Sequence, residues 1–254
     1  ESGNGQALFE QSQHLSKGWG VTADAAASLD LLLKSANSGY PDAQLLIAMK
    51  HFQGNELAKD TTKAMEWLEK AALSGQPMAM RILGSAFLAG DGVEQNLPKA
   101  LEYLTLAANA GEPGAQSNLG YMYSTGNGTE QDFEKAQLWY SKASDQGLLR
   151  ATTALAQMKE LGQGSEANLE LALSLYNEAA EQGEKNAQGR IAQAIVNGDY
   201  SLPARSRQAI GWVATLATGG DAATLTWLLG QANSGNTFAQ SSLGHLLTGD
   251  ISSS

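Results

Sequence analysis

The chain has 254 residues and a net charge of −10, from 26 acidic and 16 basic residues. Binding to a nucleic-acid backbone needs clustered Lys and Arg, so we expect no nucleic-acid partner, and the acidic balance favours a basic one. The chain has no cysteine, which excludes disulfides, zinc–thiolate sites and cysteine nucleophiles. No apolar run is long enough to cross a membrane.

A glycine returns every 36 residues, at Gly18, Gly54, Gly90, Gly126, Gly162 and Gly198. A second ladder runs beside it, at Ala7, Ala43, Ala79, Ala115, Ala151 and Ala187. A fixed period of this length is typical of stacked repeat proteins. We predict a single solenoid of six units, at residues 4–39, 40–75, 76–111, 112–147, 148–183 and 184–220.

Each unit has the pattern of a first helix, a loop, a second helix and a turn. In the third unit, Ala79, Leu83 and Phe87 share one face of the first helix. Gly90 then ends that helix, because glycine reaches left-handed geometry without strain. The second helices begin after a residue that can cap them, at Asp24, Asp60, Asn96, Asp132 and Asn168. Three first helices begin at a proline, at Pro41, Pro77 and Pro113.

The second helices alternate small and large residues. Their aromatic positions are Trp67, Tyr103, Trp139 and Trp212. Because these aromatics alternate with alanines at helical spacing, we interpret them as core residues and not as a binding stripe.

The register slips after Gly198. The second-helix motif of the sixth unit comes one place late, at Trp212. Residues 224–235 then match a second helix again, and residues 239–249 match a first helix. We predict that residues 221–254 form a degenerate pair that caps the stack. The alternative is a lost first helix with a kink in the superhelix.

Signatures of catalysis or metal binding are weak. The histidines are His14, His51 and His245, and no two have metal-ligand spacing. The Gly-x-Gly pairs follow helices and lack the third glycine of a dinucleotide fingerprint. The serine motifs Gly-x-Ser-x-Gly and Ser-x-x-Lys do not occur. We therefore expect no catalytic residues, no metal and no cofactor.

Binding is expected on the concave face, which first helices line in a curved stack. Counted from each ladder alanine, positions +2, +3, +6 and +9 point toward this face. The candidate partner-binding residues are Leu45, Met49, Phe52, Arg81, Ser85, Asn118, Tyr121 and Gln157. The same positions in the last two units include Glu160, Gly189 and Arg190. The alternative is that some of these side chains pack against the helix of the adjacent unit. For Leu46 and Ile82, both partner binding and such packing fit the pattern.

The motifs of residues 79–111 and 115–147 resemble the Sel1-like repeat family, a relative of the tetratricopeptide repeat. The shared elements in the first of these are Ala79, Leu83-Gly84, Phe87, Gly90, Gly92, Lys99-Ala100, Tyr103, Ala107-Ala108 and Gly111. The resemblance implies an all-α fold, a right-handed α/α superhelical solenoid of helix-turn-helix repeats. It also implies roles in assembling envelope or secretion machinery or in holding a regulatory partner.

We therefore expect a non-catalytic scaffold that binds a protein or peptide segment in its concave groove. One alternative, from the same resemblance, is a cell-wall hydrolase or β-lactam-binding enzyme. Another is a structural oligomer whose groove holds a neighbouring copy. The start at Glu1 fits removal of a signal peptide. We expect a periplasmic or secreted bacterial protein, with a cytoplasmic location as the alternative.

Overall fold

The structure, a computed structural model, describes residues 2–199 and 207–248. Within these residues it contains 14 helices and no strand, which confirms the all-α prediction. The helices are α1 (Ser2–Lys17), α2 (Ala25–Asn37), α3 (Pro41–Gln53), α4 (Thr61–Leu73), α5 (Pro77–Ala89), α6 (Leu97–Asn109), α7 (Pro113–Thr125), α8 (Phe133–Asp145), α9 (Leu149–Leu161), α10 (Leu169–Glu181), α11 (Lys185–Asn197), α12 (Arg207–Ala217), α13 (Ala222–Asn233) and α14 (Thr237–Thr248).

The chain forms two compact units, unit 1 (Glu1–Ala143) and unit 2 (Ser144–Ser254). The odd-numbered helices up to α11 are the first helices of the repeats, and the even-numbered ones up to α12 are the second helices. In unit 1, α1 packs on α2, α3 on α4 and α5 on α6, and in unit 2 α9 packs on α10. The single continuous solenoid stays a prediction.

The ends of the helices lie where the sequence predicts. Gly54, Gly90, Gly126, Gly162 and Gly198 end their first helices in left-handed geometry, with φ between 66° and 84°. The capping side chains of Asp24, Asp60, Asn96, Asp132 and Asn168 each accept a hydrogen bond from the backbone N–H three residues on. Each cap satisfies one of the N–H groups that a helix start leaves without a partner. These local predictions are confirmed.

The ladder alanines of the second to sixth repeats are buried in the core. Ala43, Ala79, Ala115, Ala151 and Ala187 have no exposed surface. Ala7, at the same position of the first repeat, is exposed. The reason is that no described helix precedes α1 to cover its outer face.

The aromatic positions of the second helices are half-buried and pack against the core clusters, as predicted, from their edge. The next residue along is the buried one, as at Leu68 and Leu104, which have no exposed surface. Trp67 contacts the core with its ring, and the Lys70 ammonium lies 4.1 Å from the ring centroid. Trp67 and Trp139 thus cover the edge of the core and each carry a lysine ammonium over one face of the ring.

The two helices of a repeat approach most closely at a small residue. A Cβ built on Gly84 would lie 2.7 Å from Leu104 Cγ, and one on Gly120 would lie 2.7 Å from the Tyr140 ring. The corresponding position of the fifth repeat is Ala156, which is fully buried. Small residues are thus required here because larger ones would push the helices apart.

The C-terminal helices follow the slipped motifs. In two regular repeats the Gln44 and Gln116 amides donate to a carbonyl of the preceding second helix, at Ala36 and Ala108. The Gln240 amide of α14 makes the same bond to Ala232 of α13, at 3.0 Å. Locally, α13 therefore resembles a second helix and α14 a first helix. The capping role of residues 221–254 stays a proposal, and residues 200–206 and 249–254 lie outside the described residues.

Three capping aspartates make the stability depend on acid pH. The pKa values of Asp60 and Asp132 are lowered chiefly by a hydrogen bond from the backbone N–H of Lys63 and Lys135, and that of Asp221 chiefly by the Thr224 hydroxyl. A carboxyl whose folded-state pKa is lowered stabilises the fold above its unfolded pKa, and this stabilisation is lost as pH falls through the folded pKa.

We expect a variant with all three aspartates changed to asparagine to lose less stability than the wild type between about pH 5 and about pH 2.5. Asparagine still caps the helix, so the two proteins should be similar at neutral pH. Urea unfolding midpoints across this range measure the difference. Curves that fall in parallel would contradict the prediction.

Candidate functional site

In unit 1 the first helices α3, α5 and α7 form one layer. The Asn118 amide of α7 donates to Ser85 Oγ of α5 over 2.8 Å. The Gln76 amide before α5 donates to Asp42 Oδ1 of α3 over 3.1 Å. The structure thus brings together two of the predicted site residues, Ser85 and Asn118. We call the surface formed by Met49, Ser85, Asn118 and Tyr121 the first-helix face of unit 1.

Arg81 joins two neighbouring repeats. Its Nε lies 3.1 Å from Glu112 Oε1, and both side chains are largely buried. Glu112 also caps α7, where its carboxylate accepts from the N–H of Ala115. Gly114 makes room for the arginine, since a Cβ there would lie 2.6 Å from Arg81 Cδ. Arg81 therefore has a structural role, because it joins two neighbouring repeats without any partner.

The predicted apolar site residues differ in what they contact. Leu45 and Phe52 are half-buried and pack against a core cluster that includes Leu68 and Leu83. Leu46 and Ile82 also pack against core clusters. Met49 is half-buried, and Tyr121 is 48% exposed. Tyr121 is thus the predicted residue with the largest accessible apolar surface on this face.

Unit 2 holds a cavity of about 580 Å³ beside the first helices α9 and α11. We call it the α9–α11 pocket. Its lining includes the predicted site residue Gln157, together with Thr153, Glu160, Leu161, Tyr176, Lys185, Asn186, Gly189 and Arg190. Gln157 is exposed. The pocket therefore lies on the helices where the sequence predicts a binding face.

A hydrogen-bonded network lies at the pocket. The Tyr176 hydroxyl donates to Glu160 Oε2 over 3.0 Å, and the Arg190 guanidinium pairs with the other oxygen of Glu160. Tyr176 is only 2% exposed. The pKa of Tyr176 is raised to about 12. Burial is the largest cause, followed by the hydrogen bond to Glu160 and the negative charge of Glu160. The phenol therefore stays protonated and serves as a donor.

A contact between Thr153 and Glu184 joins two neighbouring repeats of unit 2, as the Arg81–Glu112 ion pair does in unit 1. Thr153 Oγ1 donates to Glu184 Oε2 over 3.0 Å. Glu184 caps α11 by accepting from the N–H of Ala187. Thr153 and Glu184 stand 31 residues apart, as Arg81 and Glu112 do. The cap of one first helix is thus held by the preceding first helix in both units.

Four residues line the pocket that the sequence does not predict there: Leu161, Tyr176, Lys185 and Asn186. Tyr176 belongs to a second helix, whose residues were assigned to the core. Lys185 and Asn186 lie in the first turn of α11, before the ladder alanine Ala187 from which face positions were counted. Counting backward from the ladder alanine as well as forward would have found the two residues of α11.

Groups for other chemistry are sparse in the part of the chain that the structure describes. It contains no cluster of three His, Cys, Asp or Glu side chains that could hold a metal ion. His51 is buried, and its Nδ1 lies 3.1 Å from the carbonyl oxygen of Ala58. Of the helices in the described ranges, none has the length and apolar character needed to cross a membrane.

Helical pairs with recurring caps, small-residue contacts and ties between repeats define an α-helical repeat protein. The chain belongs to the Sel1 repeat family, whose model matches residues 6–40, 41–76, 77–112, 113–148 and 149–184. Each match begins and ends one or two residues after one of the first five predicted units. Sel1 repeats typically mediate protein–protein interaction.

Two solved structures share the fold. One is a protective antigen of uropathogenic Escherichia coli with an SLR fold, at 26% identity and a TM-score of 0.74 over 100% of this chain. The chain spans 58% of the length of that antigen. The other is a Sel1 repeat protein of Oxalobacter formigenes, at 25% identity and a TM-score of 0.73, covering 84% of both chains. A search of curated proteins gave no match.

Proposed function

We propose that this protein is a non-catalytic scaffold that binds a segment of a partner protein along its first helices. The observation that carries the proposal is the first-helix face of unit 1. There Tyr121 is half exposed on α7 beside the hydrogen-bonded Ser85 and Asn118. Tyrosine supplies a large, rigid contact surface with a polar tip, and it is enriched where proteins bind other proteins.

The family supports this reading over an enzyme. Sel1 repeats are generally interaction scaffolds. A hydrolase would need a nucleophile within hydrogen-bond reach of a base. At the α9–α11 pocket, the carboxylate of Glu160 is engaged by Arg190 and by a tyrosine that is protonated at neutral pH. Both oxygens of this carboxylate are thus engaged, so this pocket favours binding over hydrolysis.

A structural oligomer remains the second candidate for the first-helix face, and the experiment below includes it as an outcome. We further propose a place in the bacterial cell envelope, in assembly, secretion or regulation. Support for a bacterial setting comes from the related structures, which are from Escherichia coli and Oxalobacter formigenes.

A photo-crosslinking amino acid placed at Met49 or Tyr121 tests the scaffold function in cells of the source organism. We expect both positions to capture the same partner protein. Leu106 is the matched control, because it is also 48% exposed but lies on the second helix α6. Crosslinks to this chain itself would support the oligomer, and equal capture from Leu106 would contradict a binding face on the first helices.

Calorimetry with the purified partner then separates binding from folding. We expect Tyr121→Glu to weaken binding at least about tenfold, because a hot-spot aromatic at an interface is worth about 2 kcal/mol or more. Leu106→Glu should leave binding unchanged, and both variants should keep their helical content. Phe52→Glu should instead unfold part of unit 1, because Phe52 packs against the core. If Tyr121→Glu binds like the wild type, the proposed face is wrong.

A further inference from the structure

We infer that the α9–α11 pocket of unit 2 binds a carboxylate of the partner segment, from a glutamate or aspartate side chain. This inference rests on the proposed function, because it names the chemistry of a segment held along the first helices. Three observations support it. The pocket has positively charged side chains with N–H groups that lack acceptors, there is open space beside Gly189, and Arg190 lies against the buried Tyr176.

The pocket offers more donors than acceptors. Lys185 and Arg190 bring two positive charges to its lining, and Glu160 brings one negative charge. Within residues 2–199 and 207–248, the Lys185 side chain makes no hydrogen bond or ion pair. Arg190 pairs with Glu160, also interacts with the Tyr176 hydroxyl and is 47% exposed, so some of its five N–H groups remain for a ligand.

The two carboxylates at the pocket are already engaged. Glu160 accepts from the Tyr176 hydroxyl with one oxygen and from Arg190 with the other. The nearby Glu184 carboxylate accepts from Thr153, Asn186 and the N–H of Ala187. A cationic group would be repelled by Lys185 and Arg190, whereas an anionic group finds further N–H groups on both side chains. The pocket therefore favours a carboxylate.

Arg190 is held in place for this role. The guanidinium carbon of Arg190 lies 5.8 Å from the centroid of the Tyr176 ring. The ion pair with Glu160 holds one edge of the planar guanidinium. Tyr176 in turn is held in the core of unit 2. A guanidinium positioned in advance loses less side-chain entropy when it binds, which strengthens binding.

Gly189 keeps the pocket open. A Cβ at this position would meet no atom within 4 Å, and its φ is not in the left-handed region. Neither backbone strain nor close packing therefore requires glycine here. The corresponding residues of the earlier repeats carry side chains, at Leu45, Arg81, Ser117 and Thr153. A side chain at position 189 would instead fill the space between the donors.

The overall charge of −10 does not oppose this local attraction under cellular conditions. Charges separated by more than about 8 Å are largely screened at physiological ionic strength. A carboxylate in the pocket therefore responds mainly to Lys185, Arg190, Glu160 and the nearby Glu184. The binding should be measured at that ionic strength, since long-range repulsion from the rest of the chain grows at low salt.

An NMR titration of the full chain tests the inference. The probe is a capped glycine–serine peptide with two central glutamates, and the same peptide with two glutamines or two lysines serves for comparison. We expect only the glutamate peptide to shift the amide signals of residues 185–190. Lys185→Gln should weaken its binding about tenfold, the usual order for one charged hydrogen bond.

Gly189→Leu should abolish the response without loss of stability, because leucine has the higher helix propensity and meets open space. Gly211→Leu is the matched control, since a Cβ on Gly211 of α12 also meets no atom within 4 Å. Equal shifts with the glutamine peptide, shifts only with the lysine peptide, or no shift at millimolar peptide would overturn the inference.

The two proposals can fail separately. If Gly189→Leu still binds the partner captured through Tyr121 with unchanged affinity and the glutamate peptide does not bind, the scaffold function stands and the carboxylate site is wrong. If the glutamate peptide binds at residues 185–190 while Tyr121→Glu binds the partner normally, the carboxylate site stands and the first-helix face of unit 1 is wrong.

Discussion

Replacing Gly120 by leucine should destabilise unit 1 by about 3 kcal/mol, the upper part of the range for overpacked cores. The reason is steric, because even a Cβ at this position would lie 2.7 to 2.8 Å from three atoms of the Tyr140 ring. Tyr140 is itself 7% exposed, so the ring has little room to move. Urea unfolding followed by circular dichroism measures the loss.

The chain supplies controls for this prediction. Gly120→Ala should cost less than Gly120→Leu, since the corresponding Ala156 is accommodated in the fifth repeat. The double change Gly120→Ala with Tyr140→Leu recreates the pair Ala48 and Leu68 of the second repeat, so it should recover part of the loss. A Gly120→Leu protein as stable as the wild type would show that the two helices do not meet at this point.

Replacing Tyr176 by alanine should cost about 3 to 5 kcal/mol of stability in unit 2, as is usual for deleting a buried aromatic ring. The ring packs in a core cluster with Ala156, Ile191 and other residues of α9 to α12. Tyr176→Phe keeps the ring and removes only the hydrogen bond to Glu160, so it should cost about 1 kcal/mol. Similar losses for the two variants would contradict a packing role for the ring.

The stability of the wild type and that of Tyr176→Phe should also differ at alkaline pH. The pKa of Tyr176 is about 12, above the ordinary value of 10.0. A raised folded-state pKa means that the stabilisation is complete below the unfolded pKa and is lost as pH rises through the folded one. We therefore expect the wild type to lose stability between about pH 10 and about pH 12 faster than Tyr176→Phe does.

Much of the candidate site could be predicted from the register alone. The period of 36 residues places Ser85 and Asn118 on neighbouring first helices, and the structure joins them by a hydrogen bond. It also places Glu160, Gly189 and Arg190 at face positions, and all three line the α9–α11 pocket. The register could not show that Leu45 and Phe52 pack inward, because that depends on the distance between helices.

The sequence by itself determined the repeat, the ends of the helices and the family. These follow from local chemistry, since a left-handed glycine, a capping side chain or a proline at a helix start acts within a few residues of itself. Only the tertiary structure decided that Ala7 is exposed, that the aromatic ladder lies at the rim of the core, and that Tyr176 supports a polar pocket. Each of these depends on which helix lies alongside, and side chains distant in sequence meet only when the repeats stack.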